Sequence, residues 1–599
     1  MFLFRILIGV WLSVCCSYAI AQDSLLYITS QTIEITARKL DITDHELDLG
    51  SNELVEALTN TSAIHVQSNG PGLLATPLIH GFGARHTALL WHEFNIQSPI
   101  NGTFDLNLLT GFDKINYTDK SLSASLGTAS LGGAIVLHNP TQPKLTRVKM
   151  SANSIENLKG SATHSFQLSK LKSQISLSAI NSNNAFDYKW AGEINKWLTE
   201  VKGSDLKWNN EYQFHRRLIL SNNIWISKFN RELPSSLVSA SEPANQIDNN
   251  YRYHFSLAYT SDRYSTKLGY AHFDEQLNYK TAGVDSRAKN KVNALNFSIS
   301  TGKHNLNLSH RIDRADANFF NSIHTRQLST ISYRYNHKWS SNLSNQFTFA
   351  KQLLDRKWSP LLFDFNTTYS NGKFIADITV NSSYNTPTLN DLYWPQGGNP
   401  NLLPEQSYGL DLGLKYLIQK GTFLSLNPFY KNVSNWILWT PGERFWSPKN
   451  QRSVLSKGFD FNIDYRVNQS LSSGISLTYT DAKITKEITF KELEGNQLLY
   501  IPKVKSSLWV NYRFKKFQLR TSALYVSRRY TTTDNASSIP GFTVIDLQLL
   551  KQIKLKTAQS IDIGITVFNL LNEDYQQVEF YPMPLRNFEL NINYKINRK

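Results

Sequence analysis

Cysteine and methionine are scarce in this chain of 599 residues, which has two of the first and three of the second. Both cysteines, Cys15 and Cys16, lie within the first 21 residues. If that segment is removed, no thiol remains, which excludes disulfide bonds and cysteine metal sites from the rest of the chain. Three methionines leave little other chemistry for soft metals.

Long apolar runs are also missing, except at the N-terminus. Met1 to Ala21 carries one cation, Arg5, followed by an apolar stretch that ends near Cys16. Ala19 and Ala21 have the spacing that a signal peptidase recognises, so residues 1–21 are predicted to be a secretion signal. No later segment has the roughly 18 apolar residues that a membrane-spanning helix requires. The mature chain is therefore either soluble outside the inner membrane or a β-barrel in an outer membrane.

Charged residues are few for a soluble protein. They make up 18% of the chain, and 63 Lys and Arg against 47 Asp and Glu give a net charge of +16. Hydrophobic residues reach 41%, which disfavours both a disordered chain and a bundle of membrane helices. The 13 Trp, 28 Tyr and 32 Phe form an excess that is typical of large β-surfaces or of aromatic belts at membrane interfaces.

From Leu145 onward, apolar and polar residues alternate with the period of two that a β-strand requires. Gln174–Ile180 and Tyr251–Tyr259 are examples, and a hairpin is predicted from Leu508 to Tyr525 with its turn at Lys515 and Lys516. Strands of about ten residues, joined alternately by tight turns and longer loops, are typical of transmembrane barrels. A soluble β-sandwich or propeller with one solvated face would show the same alternation.

The length favours a wide barrel with a filled lumen. Residues 141–599 would supply about 22 antiparallel strands of roughly 21 residues each, connections included. A lumen of that width must be a channel or be plugged. Residues 22–140 are predicted to be an α/β plug, because they combine short mixed segments, glycine-rich turns and one amphipathic helix around Glu53–Leu58. The prediction is an all-β membrane protein, a transmembrane barrel with an N-terminal plug.

Several motifs occur in the order found in TonB-dependent outer-membrane receptors. The plug segments that resemble the family are Gln31–Arg38 (its Ton box), Leu54–Val66, Leu78–Gly81 and Ser123–Ile135. The barrel segments are Pro387–Tyr393 with Gly398–Glu405, Phe568–Tyr575, and Arg586–Phe588 with the last strand. The ordered set covers nearly the whole mature chain. The resemblance implies an energy-coupled importer in the outer membrane of a Gram-negative bacterium, and neither an enzyme nor a nucleic-acid-binding protein.

The resemblance also implies an inner-membrane partner of the TonB type. No phosphate-binding Gly-Lys loop of Walker type is present, so energy must come from elsewhere. An extended β-branched segment can add as a strand to the edge of a partner's sheet. The residues expected to do so are Thr32, Ile33, Glu34, Ile35, Thr36 and Ala37. The alternative is that these residues form the first strand of the plug.

The sequence around Gly81–Trp91 most resembles the cobalamin transporters of the family. By resemblance, the substrate would contact three plug loops, at 67–74, 82–86 and 95–103. The residues expected there are Gln67, Ser68, Asn69, Gly70, Phe82, Arg85, His86, Asn95, Gln97, Ser98 and Asn101. Their side chains suit a large, amide-rich and nearly neutral ligand held by many hydrogen bonds. A ferric siderophore is the alternative cargo. Haem is disfavoured, because the haem receptors that this region resembles have a histidine between the segments that correspond to Pro387 and Asn399, and this chain has none there.

The sequence departs from the family pattern at two plug motifs. His80 stands where the family has an arginine, and His92 with Glu93 stands where it has Asp-Gly. These departures place an expected plug salt bridge in doubt and keep open a non-transporting surface barrel or adhesin. No resident cofactor is expected; calcium in loops such as Asp248–Asn250 lacks EF-hand spacing, and a metal role for His80 or His92 is a minor alternative. Outer-membrane lipid and a surface lipoprotein are further candidate partners.

Deleting Thr32 to Ala37 should abolish uptake of labelled cobalamin by cells, while the purified protein still binds it. The reason is that the deletion removes only the segment through which force reaches the plug. A deletion of Asp23 to Ile28 is the control, because it shortens the N-terminus equally. Uptake that continues unchanged after the first deletion would contradict energy coupling.

Overall fold

A computed structural model describes residues 45–48, 54–112, 114–127, 129–139, 144–239, 241–441, 445–488, 490–556 and 558–597. The predicted secretion signal and the segment Thr32–Ala37 lie outside these residues. Within the described residues, no helix is both long enough and apolar enough to cross a membrane.

Most of the described chain is one closed antiparallel β-barrel. Its first strand pairs with its last, Leu145 opposite Asn597 and Asn153 opposite Glu589, so the sheet has no free edge. The 22 barrel strands are Leu145–Asn153, Asn157–Leu168, Leu171–Ser182, Val201–His215, Leu218–Leu233, Ala244–Thr260, Ser265–Lys280, Asp285–Thr301, His304–Ala317, His324–Lys338, Leu343–Leu354, Leu362–Ser370, Phe374–Asn385, Glu405–Gln419, Thr422–Pro441, Trp446–Arg466, Leu471–Glu487, Val504–Phe514, Phe517–Val526, Phe542–Lys556, Gln559–Phe568 and Asn587–Asn597. The predicted strand number is confirmed.

Alternation along the strands gives the barrel an apolar outer face and a polar lumen. In the predicted hairpin, Phe514 pairs with Phe517 and Tyr512 with Leu519, and all four side chains are exposed on the outside. Lys505 and Ser507 point inward from the same hairpin and are buried. Lys515 takes a positive φ of 53° in the two-residue turn. The predicted hairpin and its turn are therefore confirmed.

The two ends of the barrel differ. At one end, here the tight-turn end, successive strands are joined by two to four residues. At the other, the loop end, the connections reach 19 residues and contain short elements of their own. These elements are the strands Phe186–Trp190, Glu193–Trp197, Lys357–Trp358, Arg529–Tyr530, Ser538–Ile539, Gln576–Val578 and Tyr581–Pro582, the α-helix Leu389–Tyr393 and the 3-10 helix Lys491–Leu493. In outer-membrane barrels the short turns face the periplasm and the longer loops face outward.

The N-terminal region forms a mixed sheet with helices inside the barrel, as predicted for the plug. Strands His45–Asp48, Lys114–Thr118, Gly133–His138, Thr87–Trp91 and Phe94–Asn95 follow one another across the sheet. The remaining elements are the hairpin His65–Ser68 with Ala75–Leu78, the α-helices Leu54–Thr61 and Ser123–Leu126, and the 3-10 helices Ala84–His86 and Leu106–Leu108. The amphipathic helix predicted around Glu53–Leu58 is thus confirmed over Leu54–Thr61, and Glu53 lies outside the described residues.

One apolar cluster joins the plug to the barrel wall. Leu54 and Leu58 of the first helix are buried with Leu89 and Ile135 of the sheet. Trp225 of the wall is fully buried in the same cluster, 5.8 Å from Trp91 in an edge-on contact. The plug therefore shares part of its core with the barrel.

Gly133 to Ala should disrupt the plug sheet. Gly133 has φ of +139°, and a Cβ there would lie 2.1 Å from the carbonyl oxygen of Thr118 on the neighbouring strand. Gly192 to Ala is the control, because Gly192 also has a positive φ but nothing within 4 Å of its Cβ position. Limited proteolysis of the folded barrel should cleave the plug faster in the first variant than in the second. Equal cleavage rates would contradict the proposed crowding.

Candidate substrate site and plug contacts

A cavity of about 870 Å³ lies between the plug and the barrel wall near the loop end. This volume falls within the usual range for small-molecule sites. Plug residues 69–74 and 96–109 form one side, and the strands Leu218–Leu233, Ala244–Thr260 and Ser265–Lys280 form the other. Polar neutral side chains in its lining are Asn69, Ser98, Asn101, Thr103, Ser235, Ser236, Ser239, Ser241, Gln246, Asn250, Gln276, Tyr279, Thr281, Asn290 and Tyr581.

The cations in this cavity are already paired. Arg231 of the wall places its Nη1 2.5 Å from Oδ2 of Asp105 on the plug, and its Nη2 3.2 Å from Oδ2 of Asp248. The expected loop at Asp248–Asn250 is wrong, because these residues belong to the strand Ala244–Thr260. Arg252 lies 2.5 Å from Glu275. Burial raises the pKa of Asp105, and Arg231 offsets part of that effect. With Glu242, the described lining holds four carboxylates and two guanidinium groups.

Three of the residues predicted to bind substrate line this cavity. Asn69 is half-buried, and its backbone N–H donates to the carbonyl of Leu74. The hydroxyl of Ser98 accepts a hydrogen bond from Asn290 of the wall at 3.1 Å. Asn101 is exposed at the tip of its loop. The structure therefore brings Asn69, Ser98 and Asn101 to one cavity.

Four predicted residues, one of them shared, line a smaller cavity of about 130 Å³ next to the first. Their polar atoms contact other protein groups. Arg85 donates to Asp391 of the wall at 2.9 Å, and the neighbouring Glu405 and Asp391 raise its pKa against the opposing effect of burial. Asn95 donates to Gln97 at 2.7 Å, and Gln97 donates to the carbonyl of Ala84 at 2.6 Å. Ser98 borders both cavities.

The remaining predicted residues lie in contacts within the plug or between plug and wall. Gln67 pairs with Thr76 in the plug hairpin. The backbone N–H of Ser68 donates to Gln577 at 3.1 Å, and Gly70 approaches the same loop. Phe82 is buried against Leu131, Val433 and Trp436. His86 lies 2.9 Å from Glu405.

His80 has a carboxylate partner although it is not an arginine. Its Nε2 lies 2.6 Å from Oδ2 of Asp460 on the wall and 3.9 Å from Asp119 of the plug, and its ring stacks on Phe429 at 3.6 Å. His80, Asp119 and Asp460 are close enough to share a cation. Lys431, however, already brings a positive charge to this group by donating to the carbonyl of Asp119 at 2.6 Å.

His92 and Glu93 form a turn whose side chains are held by the wall. Both residues have positive φ values, 49° and 76°. Glu93 forms an ion pair with Lys267, and His92 stacks on His254 with ring centres 4.6 Å apart. Burial, and then the charge of Lys267, lowers the pKa of His92 to about 3. The imidazole is therefore neutral and acts as a packing group.

Sequence reasoning missed the wall residues of the larger cavity, above all Arg231, Arg252 and Glu275. Inward-facing polar residues occur on every barrel strand, so no local pattern distinguishes those beside a cavity. The contact between the helix Leu389–Tyr393 and the plug was also not predicted. The N–H groups of Leu389 and Asn390 donate to the carbonyls of Pro99 and Ile100, at 3.0 and 2.9 Å.

A family model described as TonB dependent receptor-like, beta-barrel matches residues 93–570. The chain belongs to the TonB-dependent receptor family. Members of this family are receptors and transporters of the outer membrane.

Known proteins resemble the chain at low identity. It is 22% identical to the vitamin B12 transporter BtuB of Vibrio vulnificus strain YJ016 over 580 residues, or 90% of this chain and 89% of that protein. It is 23% identical to the ferrichrome outer membrane transporter/phage receptor of Escherichia coli K12 over 29% of this chain and 23% of that one. The FrpB iron transporter of Neisseria meningitidis (F3-3 variant) superposes with a TM-score of 0.76 at 12% identity, covering 92% of this chain and 97% of its own. The siderophore receptor PiuA of Acinetobacter baumannii superposes with a TM-score of 0.74 at 13% identity, covering 90% of this chain and 94% of its own. These structural matches show the fold alone.

Arg231 to Met should loosen the plug from the wall. It leaves Asp105 and Asp248 buried without their cation, which costs about 3–5 kcal/mol when one partner of a buried pair is removed. Arg217 to Met is the matched control, because Arg217 pairs with Asp262 at the exposed tight-turn end, where such pairs contribute about 0–1 kcal/mol. The urea concentration at which the plug becomes protease-sensitive should fall only in the first variant. An equal fall in both would show that the buried pair has no special role.

Proposed function

We propose that this receptor imports cobalamin or a related corrinoid, using energy relayed by a TonB-type protein of the inner membrane. The observation that carries the proposal is the chemistry of the 870 Å³ cavity. Its described lining is rich in amides and hydroxyls, and both guanidinium groups are paired with carboxylates. A near-neutral ligand with many amide groups matches such a lining, whereas an anion would meet an excess of carboxylates. The likeness to vitamin B12 transporters over 90% of the chain supports the same cargo.

Three plug side chains would hold the ligand from below. Asn69 and Asn101 each offer two donors and an acceptor, and Ser98 offers a hydroxyl. Leu74 is 45% exposed beside them and gives an apolar surface for a flat ring system. Each hydrogen bond to a neutral partner contributes about 0.5–1.5 kcal/mol net, so affinity would come from their number.

Import requires that the plug yield to a pull from the periplasm. We propose that the partner binds Thr32–Ala37, and the first described helix on the path of that force is Leu54–Thr61. Its C-terminal end is held by the wall, because Lys505 donates to the carbonyl of Ser62 at 2.8 Å and to that of Ile64. Cations bind favourably at helix C-termini. Release of Lys505 is therefore an early step in the proposed movement of the plug.

A ferric siderophore is the second candidate cargo, favoured by the smaller cavity. Its lining contains Arg85, Arg311 and Arg326 against the carboxylates Glu93 and Asp313. A volume of about 130 Å³ could take one anionic group of a chelate but not a whole chelate. Arg311 and Arg326 already bind Asp313, at 2.6 and 3.1 Å, so an anion would have to compete with that carboxylate.

Calorimetric titration of the detergent-purified mature protein should show saturable cobalamin binding, and weaker or no binding of haem and a ferric siderophore. Replacing Asn69, Ser98 and Asn101 together with alanine should weaken cobalamin binding about thirtyfold, since about three hydrogen bonds are lost. Asn371 to Ala, in an exposed turn at the opposite end, should bind like the parent. Tight siderophore binding without cobalamin binding would keep the transporter and overturn its proposed cargo.

A further inference from the structure

The wall side of the 870 Å³ cavity carries a row of three inward-facing side chains on neighbouring strands. Glu275 lies directly opposite Asn250 on one side and opposite Asn290 on the other. All three residues line the cavity. Asn290 donates to the hydroxyl of Ser98 at 3.1 Å, so the row lies at the height of the plug loop 95–103. Glu275 therefore faces the space between the plug and the wall.

The protein uses only one carboxylate oxygen of Glu275. Arg252 places its Nε 2.7 Å and its Nη2 2.5 Å from the same atom, Oε1. The guanidinium of Arg252 also lies over the ring of Trp225, at 4.3 Å, which fixes its position. In the part of the chain that the structure describes, no donor bonds to Oε2 of Glu275. Because Glu275 is buried and lines the cavity, Oε2 is left as an acceptor for a bound ligand.

The other carboxylates of the lining differ in how far the protein satisfies them. Asp105 accepts hydrogen bonds from Arg231 and from the backbone N–H groups of residues 75 and 107. Asp248 accepts from Arg231 and from Gln246. Glu242 is exposed, and no described residue donates to its side chain. With four carboxylates against two guanidinium groups, the lining carries a formal excess of two negative charges.

Such a lining distinguishes two ligand groups of nearly the same size and shape. A primary amide carries two N–H donors, which carboxylate oxygens accept in charge-assisted hydrogen bonds. A carboxylate on the ligand has no donor at neutral pH, and like charges placed against each other are unfavourable. The cavity would therefore bind an amide and reject the corresponding acid by charge and not by shape.

We propose that Glu275 and Glu242 make this cavity selective for corrinoids whose peripheral carboxylates are all amidated, against the same corrinoids with a free carboxylate. This inference rests on the proposed function. Glu275 is the main determinant, because a buried charge is screened less by water and salt than an exposed one. Amide formation at the edge of the corrin ring is then the class of reaction that must precede capture by the receptor.

Calorimetric titration of the detergent-purified mature protein at pH 7 tests the selectivity, with cobalamin and its three monocarboxylic acids as probes. Each acid has one peripheral propionamide hydrolysed, so it differs from cobalamin only by the replacement of one NH₂ group with O⁻. The discrimination ratio is the dissociation constant of an acid divided by that of cobalamin. The parent should show a ratio of about ten or more for at least one of the three acids.

Two variants test whether the cavity carboxylates cause this ratio. Glu275→Gln keeps an acceptor for Arg252 but removes the charge, so the ratio should fall to about three or less. Glu242→Gln should lower the ratio about twofold, and it guards against a folding defect in the first variant because Glu242 is exposed. Glu487→Gln is the matched control and should keep the parent ratio. Glu487 also forms a buried pair with an arginine, Arg452, but does not line the cavity.

The outcomes separate the selectivity from the proposed function. Equal affinity of the parent for cobalamin and for all three acids would overturn the selectivity and leave cobalamin as the cargo. A ratio that falls as far in E487Q as in E275Q, or that stays at the parent value in both E275Q and E242Q, would also overturn the selectivity. Failure of the parent to bind any of the four corrinoids would overturn the proposed function, and the selectivity with it.

Discussion

Cations of the barrel wall that donate to backbone carbonyls of the plug are the interaction on which the rest of the structure depends. Lys207, Lys431 and Lys505 reach the carbonyls of plug residues 110, 119 and 62 at 2.5, 2.6 and 2.8 Å. Arg311 reaches the carbonyl of residue 95 at 2.6 Å. A buried cation without such partners would cost far more than one hydrogen bond contributes. The buried wall cations therefore depend on the plug for their hydrogen-bond partners, and the plug is held in the lumen by the same bonds.

The polar nature of these contacts also lets the plug move. When a segment of plug leaves the lumen, water can enter and replace each lost hydrogen bond, so the net cost is about 0.5–1.5 kcal/mol per neutral bond and about 1.5–3 kcal/mol when one partner is charged. An interface made only of apolar side chains would instead expose its whole buried area to water. Part of the interface is apolar, including the cluster around Trp91 and Trp225 and the contact of Phe82 with Val433. Plug segments held by polar contacts are accordingly easier to displace than those in the apolar clusters.

One plug loop lines the 870 Å³ cavity and also contacts the wall. Residues 95–103 contribute Ser98 and Asn101 to the cavity, while the carbonyls of Pro99 and Ile100 accept hydrogen bonds from the helix Leu389–Tyr393. Arg85 ties the neighbouring plug turn to Asp391 of the same helix. A ligand that shifted this loop would therefore strain its contacts with the wall directly. The same loop therefore lines the cavity and contacts the helix Leu389–Tyr393, without intervening residues.

The sequence allowed the architecture to be predicted, because a barrel repeats one simple pattern. Period-two alternation and chain length together gave the strand number, and the plug helix followed from its own apolar spacing. The site was less accessible to prediction, because its partners are distant in sequence. Arg85 contacts Asp391, which is 306 residues away in sequence, and His80 contacts Asp460, which is 380 residues away. The role of Thr32–Ala37 stays a prediction, since that segment lies outside the described residues.

The two plug departures from the family pattern share one physical explanation: at each, residues of the wall contact the unusual side chains. The turn at His92 and Glu93 requires positive φ values that non-glycine residues adopt at a cost of about 1–2 kcal/mol each. Stacking on His254 and pairing with Lys267 offset that cost with contacts that a glycine could not make. His80 likewise finds Asp460 at 2.6 Å and a stacked Phe429, both on the wall. Plug and barrel are therefore matched to one another residue by residue, and the unusual plug residues are intelligible only from the barrel that surrounds them.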